Sequence, residues 1–155
     1  MVDVRVGIIG LGSVGQGVVK ILNDNISLIQ KKTNAKISII GVSGKNKSKQ
    51  REVEINRYQW FANPISLAVN ENADIIIELI GGEDGIALEV VESALKAGKN
   101  VITANKALIA KNGNRLLELA EKNGAKLLFE AAIAGSIPIV KTLKESVASN
   151  TISAI

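Results

Sequence analysis

The residues best suited to chemistry stand in three short stretches. Gly10-Leu11-Gly12-Ser13-Val14-Gly15 spells G-x-G-x-x-G. In that pattern the first glycine permits a tight turn, the second lets the backbone approach a pyrophosphate, and the third lets a helix pack close to a strand. A helix starting there aims free N–H groups and a positive dipole end at phosphate oxygens. Val42-Ser43-Gly44-Lys45-Asn46-Lys47-Ser48-Lys49 carries three lysines and no carboxylate. A site that selects NAD has an acid at this point for the ribose 2′-hydroxyl. Lys45 and Lys47 would instead attract a 2′-phosphate. The sequence therefore favours NADP(H), with NAD(H) as the alternative and a merely solvated lysine loop as the plain competitor. The third stretch is Thr103-Ala104-Asn105-Lys106. There Lys106 could orient a carbonyl or carboxylate, or hold the cofactor amide, and Asn105 or Thr103 could cap a following helix. Taken alone, a lysine is more often simply exposed.

What is missing narrows the chemistry further. The sequence has no Cys and no His, which removes thiolate nucleophiles, thiolate metal sites and the commonest general base. The single tyrosine, Tyr58, is followed four residues on by Ala62, so the Tyr-x-x-x-Lys pair of short-chain dehydrogenases is absent. Chemistry must come from lysines, carboxylates, hydroxyls or backbone groups. The net charge is +4, but aromatic residues make up only 3% and the basic residues scatter outside one loop. That pattern argues against nucleic acid as a partner. No apolar run reaches the roughly 18 residues of a membrane span. The alternating start, residues 2–6, lacks the apolar stretch of a signal peptide. The expectation is a cytoplasmic chain with no membrane partner.

These stretches need a frame, and hydrophobic periodicity supplies one. Residues 4–9, 36–42, 58–61, 75–80, 100–102 and 126–129 read as strands. Apolar stripes at helical spacing mark helices over residues 14–22, 65–69, 86–97, 114–122 and 139–147. Asn63-Pro64 has the form of a helix start. Gly17, inside the first helix, is expected to serve helix packing. Alternating strands and helices predict an α/β fold, a doubly wound, mostly parallel Rossmann sheet with helices on both faces. In such folds ligands lie at the carboxyl ends of the strands. Gly81-Gly82, after the strand at residues 75–80, would let a cofactor lie against the backbone. The Ala- and Gly-rich stretch from Glu130 to Pro138 has no regular period and reads as a hinge. The division is a dinucleotide-binding domain over residues 1–129 and, over 130–155, the hinge with the start of a second domain.

Together the stretches resemble bacterial-type homoserine dehydrogenase. The matching text is Gly-Leu-Gly-Ser-Val-Gly-Gln-Gly-Val-Val, Ile-Glu-Leu-Ile-Gly-Gly, Val-Ile-Thr-Ala-Asn-Lys-Ala-Leu-Ile-Ala and Phe-Glu-Ala-Ala-Ile-Ala-Gly-Ser-Ile-Pro-Ile-Val-Lys. The resemblance implies interconversion of L-homoserine and L-aspartate 4-semialdehyde, in threonine and methionine biosynthesis, by hydride exchange with a nicotinamide. It implies pyrophosphate on the loop from Gly10 to Gly15. It also implies Lys106 beside nicotinamide and substrate, and Lys45 where relatives carry an arginine facing the 2′-phosphate. It further implies a monovalent cation, sodium by chemistry, held by Glu130, Ile133, Gly135 and Ile137 largely through main-chain oxygens, and a homodimer in the full-length enzyme. The family's substrate and dimerisation domain, with its proton-transferring lysine, follows this point, so the 155 residues read as the cofactor portion of a longer chain, not active alone. A non-catalytic nucleotide-binding or dimerising module is the alternative, and another two-domain dehydrogenase with the same cofactor half is a third.

Overall fold

The structure, a computed structural model, describes residues 1–133 and Thr142. Its strands are β1 (Val2–Ile9), β2 (Ala35–Ser43), β3 (Gln59–Trp60), β4 (Ile75–Glu78), β5 (Asn100–Thr103) and β6 (Leu127–Leu128). They form one sheet in the order β3-β2-β1-β4-β5-β6, and every pairing is parallel. The sheet is thus wholly rather than mostly parallel among the described residues. The helices are α1 (Ser13–Asp24), α2 (Ile26–Thr33), α3 (Pro64–Ala68), α4 (Ile86–Lys96), α5 (Lys106–Lys122) and α6 (Glu130–Ile133).

Alternation along the strands builds two cores. Ile8 of β1 and Val42 of β2 face Leu11 and Val19, the latter on α1. The next residue, Ile9, faces the opposite way with Ile76, where Leu67, Val90, Leu95, Leu108 and Leu116 of α3, α4 and α5 cover the sheet. Each fully buried Ile or Leu contributes about 2 kcal/mol of transfer free energy. Helices on both faces follow from the strand order. The chain leaves β1 towards β2 on one side and leaves β4 towards β5 on the other. The loops after β1 and β4 therefore part, and a crevice opens at their carboxyl ends.

Local signals place the helix starts. The Asn63 side chain accepts from the Ile65 N–H at 2.9 Å, with Pro64 at the first helical position. Asn63→Ala should cost about 1 kcal/mol, read as a lower urea midpoint. Asn105 caps α5 in the same way, accepting from the Leu108 N–H at 3.1 Å.

Three points differ from expectation. α2 is a separate helix that buries no residue and closes on Asn34 in the left-handed conformation, φ 53, so its apolar stripe is too weak to mark it. α5 starts at Lys106, eight residues before the predicted start, because Asn105 caps it there and Leu108 is buried. Gly17 does not serve packing, since a Cβ built on it meets nothing within 4 Å. The stretch from Glu130, expected as a hinge, opens with the short helix α6, and residues 134–138 of it lie outside the described residues. The helix expected over residues 139–147 lies outside the described residues.

Candidate functional site

The carboxyl edge of the sheet carries two clefts that share the glycine loop as their divide. The larger, about 670 Å³, is bounded by Gly10, Leu11 and Gly12 on one side and by Gly44, Lys45, Asn46, Lys49 and Arg51 on the other. The smaller, about 330 Å³, lies between Val14 of α1, Gly81 after β4, and Asn105 and Lys106 at the start of α5. Ile80 borders both.

The glycine loop is held from two strands. The Gly10 N–H donates to the Ser43 carbonyl at 2.9 Å, and the Leu79 N–H donates to the Ile9 carbonyl at 2.7 Å. Gly10 has φ +102, and a Cβ there would sit 2.5 Å from the Leu79 carbonyl. Gly15 is buried, and its Cβ would sit 1.9 Å from the Gly10 carbonyl oxygen. The loop and α1 can therefore meet only through bare backbone. Gly12 differs, because a Cβ there meets nothing within 4 Å. It is the N-cap of α1, no side chain caps the helix, and no acid lies in its first turn. The first N–H groups of α1, at Ser13, Val14 and Gly15, have no partner within the helix, and the positive end of the helix dipole lies behind them. A pyrophosphate fits that donor set.

The larger cleft is basic on its far wall. Lys45, Lys49 and Arg51 line it, and among the described residues none of its lining residues is acidic. Lys47 is not among them; its carbonyl accepts from Arg51 at 3.1 Å. Sequence reasoning missed Arg51 because it falls past the lysine run, in what reads as undifferentiated polar loop. Its guanidinium also lies 5.5 Å from the centre of the Trp60 ring.

Around the smaller cleft a buried polar network fixes the strand ends. Glu78, at the end of β4, is fully buried. One of its carboxyl oxygens accepts from the Ile80 N–H at 2.6 Å, the other from the Thr103 hydroxyl at 2.5 Å. Thr103 Oγ1 accepts in turn from the Asn105 N–H at 3.0 Å, and Asn105 Nδ2 donates to the carbonyls of Ile80 and Gly82 at 3.1 and 2.6 Å. Burial pushes the Glu78 carboxyl above the usual carboxylate range, against the opposing pull of bonds from Thr103, Ile80 and Asn105. Gly82 thus stands just behind the cleft, tied by its carbonyl, while Gly81 faces the opening. Lys111 of α5 pairs with both Glu83 and Asp84, at 3.0 and 2.6 Å, and holds the rest of that loop.

Lys106 is exposed at the first position of a 17-residue helix that has no acid in its first turn. A cation at the positive end of a helix is unfavourable on its own by a few tenths to about 1 kcal/mol. With the helix N-terminus it makes this cleft attractive to an anionic or carbonyl oxygen. Of the expected cation ligands, Glu130 opens α6 half-buried and Ile133 closes it exposed, while Gly135 and Ile137 lie outside the described residues. Among the described residues no three His, Asp or Glu side chains gather. No helix among them is long and apolar enough to cross a membrane.

Comparison with known proteins agrees with this geometry. Residues 10–130 match the family "Homoserine dehydrogenase, NAD binding domain". Homoserine dehydrogenase of Neisseria gonorrhoeae is 39% identical over 155 residues, covering 100% of this chain and 35% of that protein. The Bacillus subtilis homoserine dehydrogenase is 38% identical over 153 residues, covering 99% and 35%. The crystal structure of a homoserine dehydrogenase from Thiobacillus denitrificans superposes with a TM-score of 0.85 at 37% identity, over 96% of this chain and 34% of the other. The chain spans about a third of the length of the curated relatives it matches. On the strength of the matched glycine loop, sheet and strand-end blocks, the chain belongs to the homoserine dehydrogenase family, to its NAD-binding domain.

Proposed function

We propose that this chain is the cofactor half of an enzyme that interconverts L-homoserine and L-aspartate 4-semialdehyde, and that it takes NADP(H) in preference to NAD(H). The observation that carries the reading is the placement of two clefts on either side of a glycine loop whose centre, at Gly12, is open. A dinucleotide laid across that divide would put its pyrophosphate on α1 and its two nucleosides in the two clefts. The bound nicotinamide supplies or accepts the hydride that separates alcohol from aldehyde. Gly10 to Gly15 bind the pyrophosphate, Gly81 with Gly82 behind it leaves bare backbone at the nicotinamide end, and Lys106 orients the substrate oxygen. Lys45 binds the 2′-phosphate as a point charge, without the fork an arginine would bring.

Residues 1–129 form the dinucleotide-binding unit on this reading. Residues 130–155 lead into a substrate and dimerisation part, with sodium held at Glu130, Ile133, Gly135 and Ile137. Homodimerisation, a cytoplasmic place of action and a role in threonine and methionine biosynthesis go with it.

Calorimetric titration tests the cofactor claim directly. NADPH should bind more tightly than NADH, and Lys45→Ala should weaken NADPH by about tenfold, the worth of one exposed-to-half-buried charge contact to a phosphate, while leaving NADH nearly unchanged. Equal affinity for the two in the unaltered protein would defeat the NADP reading.

A further inference from the structure

The lysine loop has an internal clamp. Arg51 Nη1 donates to the carbonyls of Lys47 and Lys49 at 3.1 and 2.9 Å, and Nη2 donates to the carbonyl of Asn46 at 2.6 Å. Three carbonyls of one turn thus converge on one guanidinium. The same guanidinium lies over the Trp60 ring, 5.5 Å from its centre. Its Nε is buried with no hydrogen-bond partner. A Cβ on Gly44, the residue before Lys45, would lie 3.4 Å from Arg51 Nη2 and 3.3 Å from the Trp60 ring. Arg51 therefore abuts the backbone on both sides of Lys45.

The same point is tied to the glycine loop. The Glu52 N–H donates to Gln16 Oε1 at 2.8 Å, and Gln16 Nε2 reaches back to the carbonyls of Gly12 and Leu11 at 3.4 and 3.5 Å. Residues 51 and 52 thus join the two walls of the larger cleft. Neutral carbonyls do not cancel the charge of Arg51. Among the described residues neither Arg51 nor Lys45 nor Lys49 makes an ion pair. Three positive charges line one wall, held apart by the turn that Arg51 closes.

We propose that Arg51 is a positioning residue for dinucleotide choice: by clamping the turn it presents Lys45 and Lys49 at a fixed distance from the pyrophosphate loop, so that an adenine dinucleotide bearing a 2′-phosphate meets a preformed cationic wall. The proposal rests on the NADP(H) reading above. It differs in naming a residue whose own donors are mostly spent on the backbone and which acts through others. A lysine does not replace it, because its single ammonium nitrogen lacks the planar fork whose two terminal nitrogens reach the carbonyls of three residues while the group lies over an indole.

The test compares the unaltered chain with Arg51→Met and Arg51→Lys, using NADPH and NADH titrations and amide hydrogen exchange across residues 45–50. Both variants should raise the Kd for NADPH by about tenfold or more and that for NADH by less than about threefold, since an unclamped loop forfeits prepaid ordering for the phosphate alone. Exchange over residues 45–50 should speed up in both. Equal losses for NADPH and NADH, full rescue by Arg51→Lys, or unchanged exchange would each overturn the clamp. If the unaltered chain shows no preference for NADPH while exchange still quickens in the variants, the NADP reading fails and the clamp stands as a purely structural device, which also ends its claim on cofactor choice.

Discussion

Gly12→Val is expected to abolish dinucleotide binding and leave the fold standing, while Gly15→Ala, a smaller change three residues on, should cost the fold itself. At Gly12 the backbone is extended, φ −75 and ψ −165, which valine accepts, and a Cβ meets nothing within 4 Å. The loss at the helix N-cap is a few tenths to about 1 kcal/mol. The new side chain, however, fills the space a pyrophosphate would need. Losing two backbone bonds to a charged phosphate, about 1.5–3 kcal/mol each, raises Kd by roughly a hundredfold or more. At Gly15 the added methyl would overlap the Gly10 carbonyl oxygen at 1.9 Å. Relief would need Gly10 to move, but Gly10 already stands against the Leu79 carbonyl. A cost of about 3 kcal/mol or more follows. Thermal melts and NADPH titrations of both variants separate the effects. A Gly12→Val protein that binds NADPH as tightly as the original would falsify the assignment of this loop to the pyrophosphate.

The second large effect lies in the buried network. Thr103→Val keeps the shape of the side chain and removes one hydroxyl. It strips Glu78 of a donor and the Asn105 N–H of an acceptor, both inside the protein. Stranding such groups should lower stability by about 2–3 kcal/mol, seen in urea denaturation. The network also predicts a pH trend. The folded protein holds the Glu78 proton more tightly than the unfolded chain does, because burial penalises the charge. The stability gained is complete below the ordinary carboxyl value of 4.5 and is lost as pH rises through the folded value. Glu78→Gln removes this titration, so the stability of the original relative to the variant should fall as the pH rises above about 4.5. A flat difference would show that Glu78 titrates alike in both states. Asp74 contributes in the opposite direction: hydrogen bonding to Arg5 holds its carboxyl below 3.8, and that stability is lost as the pH falls through the lowered value.

Period and punctuation made most of the fold legible. Glycines at positions 10, 12 and 15 between an apolar run and a helical stripe located the loop. Asn63-Pro64 located a helix start to the residue. Legibility failed in two ways. The first eight residues of α5 include Asn112 and Gly113, poor helix formers, which outweighed the Asn105 cap three residues before Leu108. Elsewhere the decisive partner was distant in sequence. Glu78 looked like one acid in an apolar strand. Its meaning comes from Thr103, 25 residues later. An acid at an inward strand position was the available signal. Arg51 had none, because its role depends on the carbonyls it meets.

The strand order also governs how the chain comes to be folded during synthesis. β1 is made first and sits at the centre, yet its two neighbours arrive at very different times. β2 ends at Ser43, whereas β4 ends about 35 residues later at Glu78. At about 5–20 residues per second, β1 waits roughly two to seven seconds with one edge unpaired. That edge runs through Val6, Gly7, Ile8 and Ile9, the segment that later pairs with β4. For those seconds the nascent chain offers an apolar strand edge of the kind that recruits other chains, and the interval closes only when the residue that anchors the buried network, Glu78, has left the ribosome.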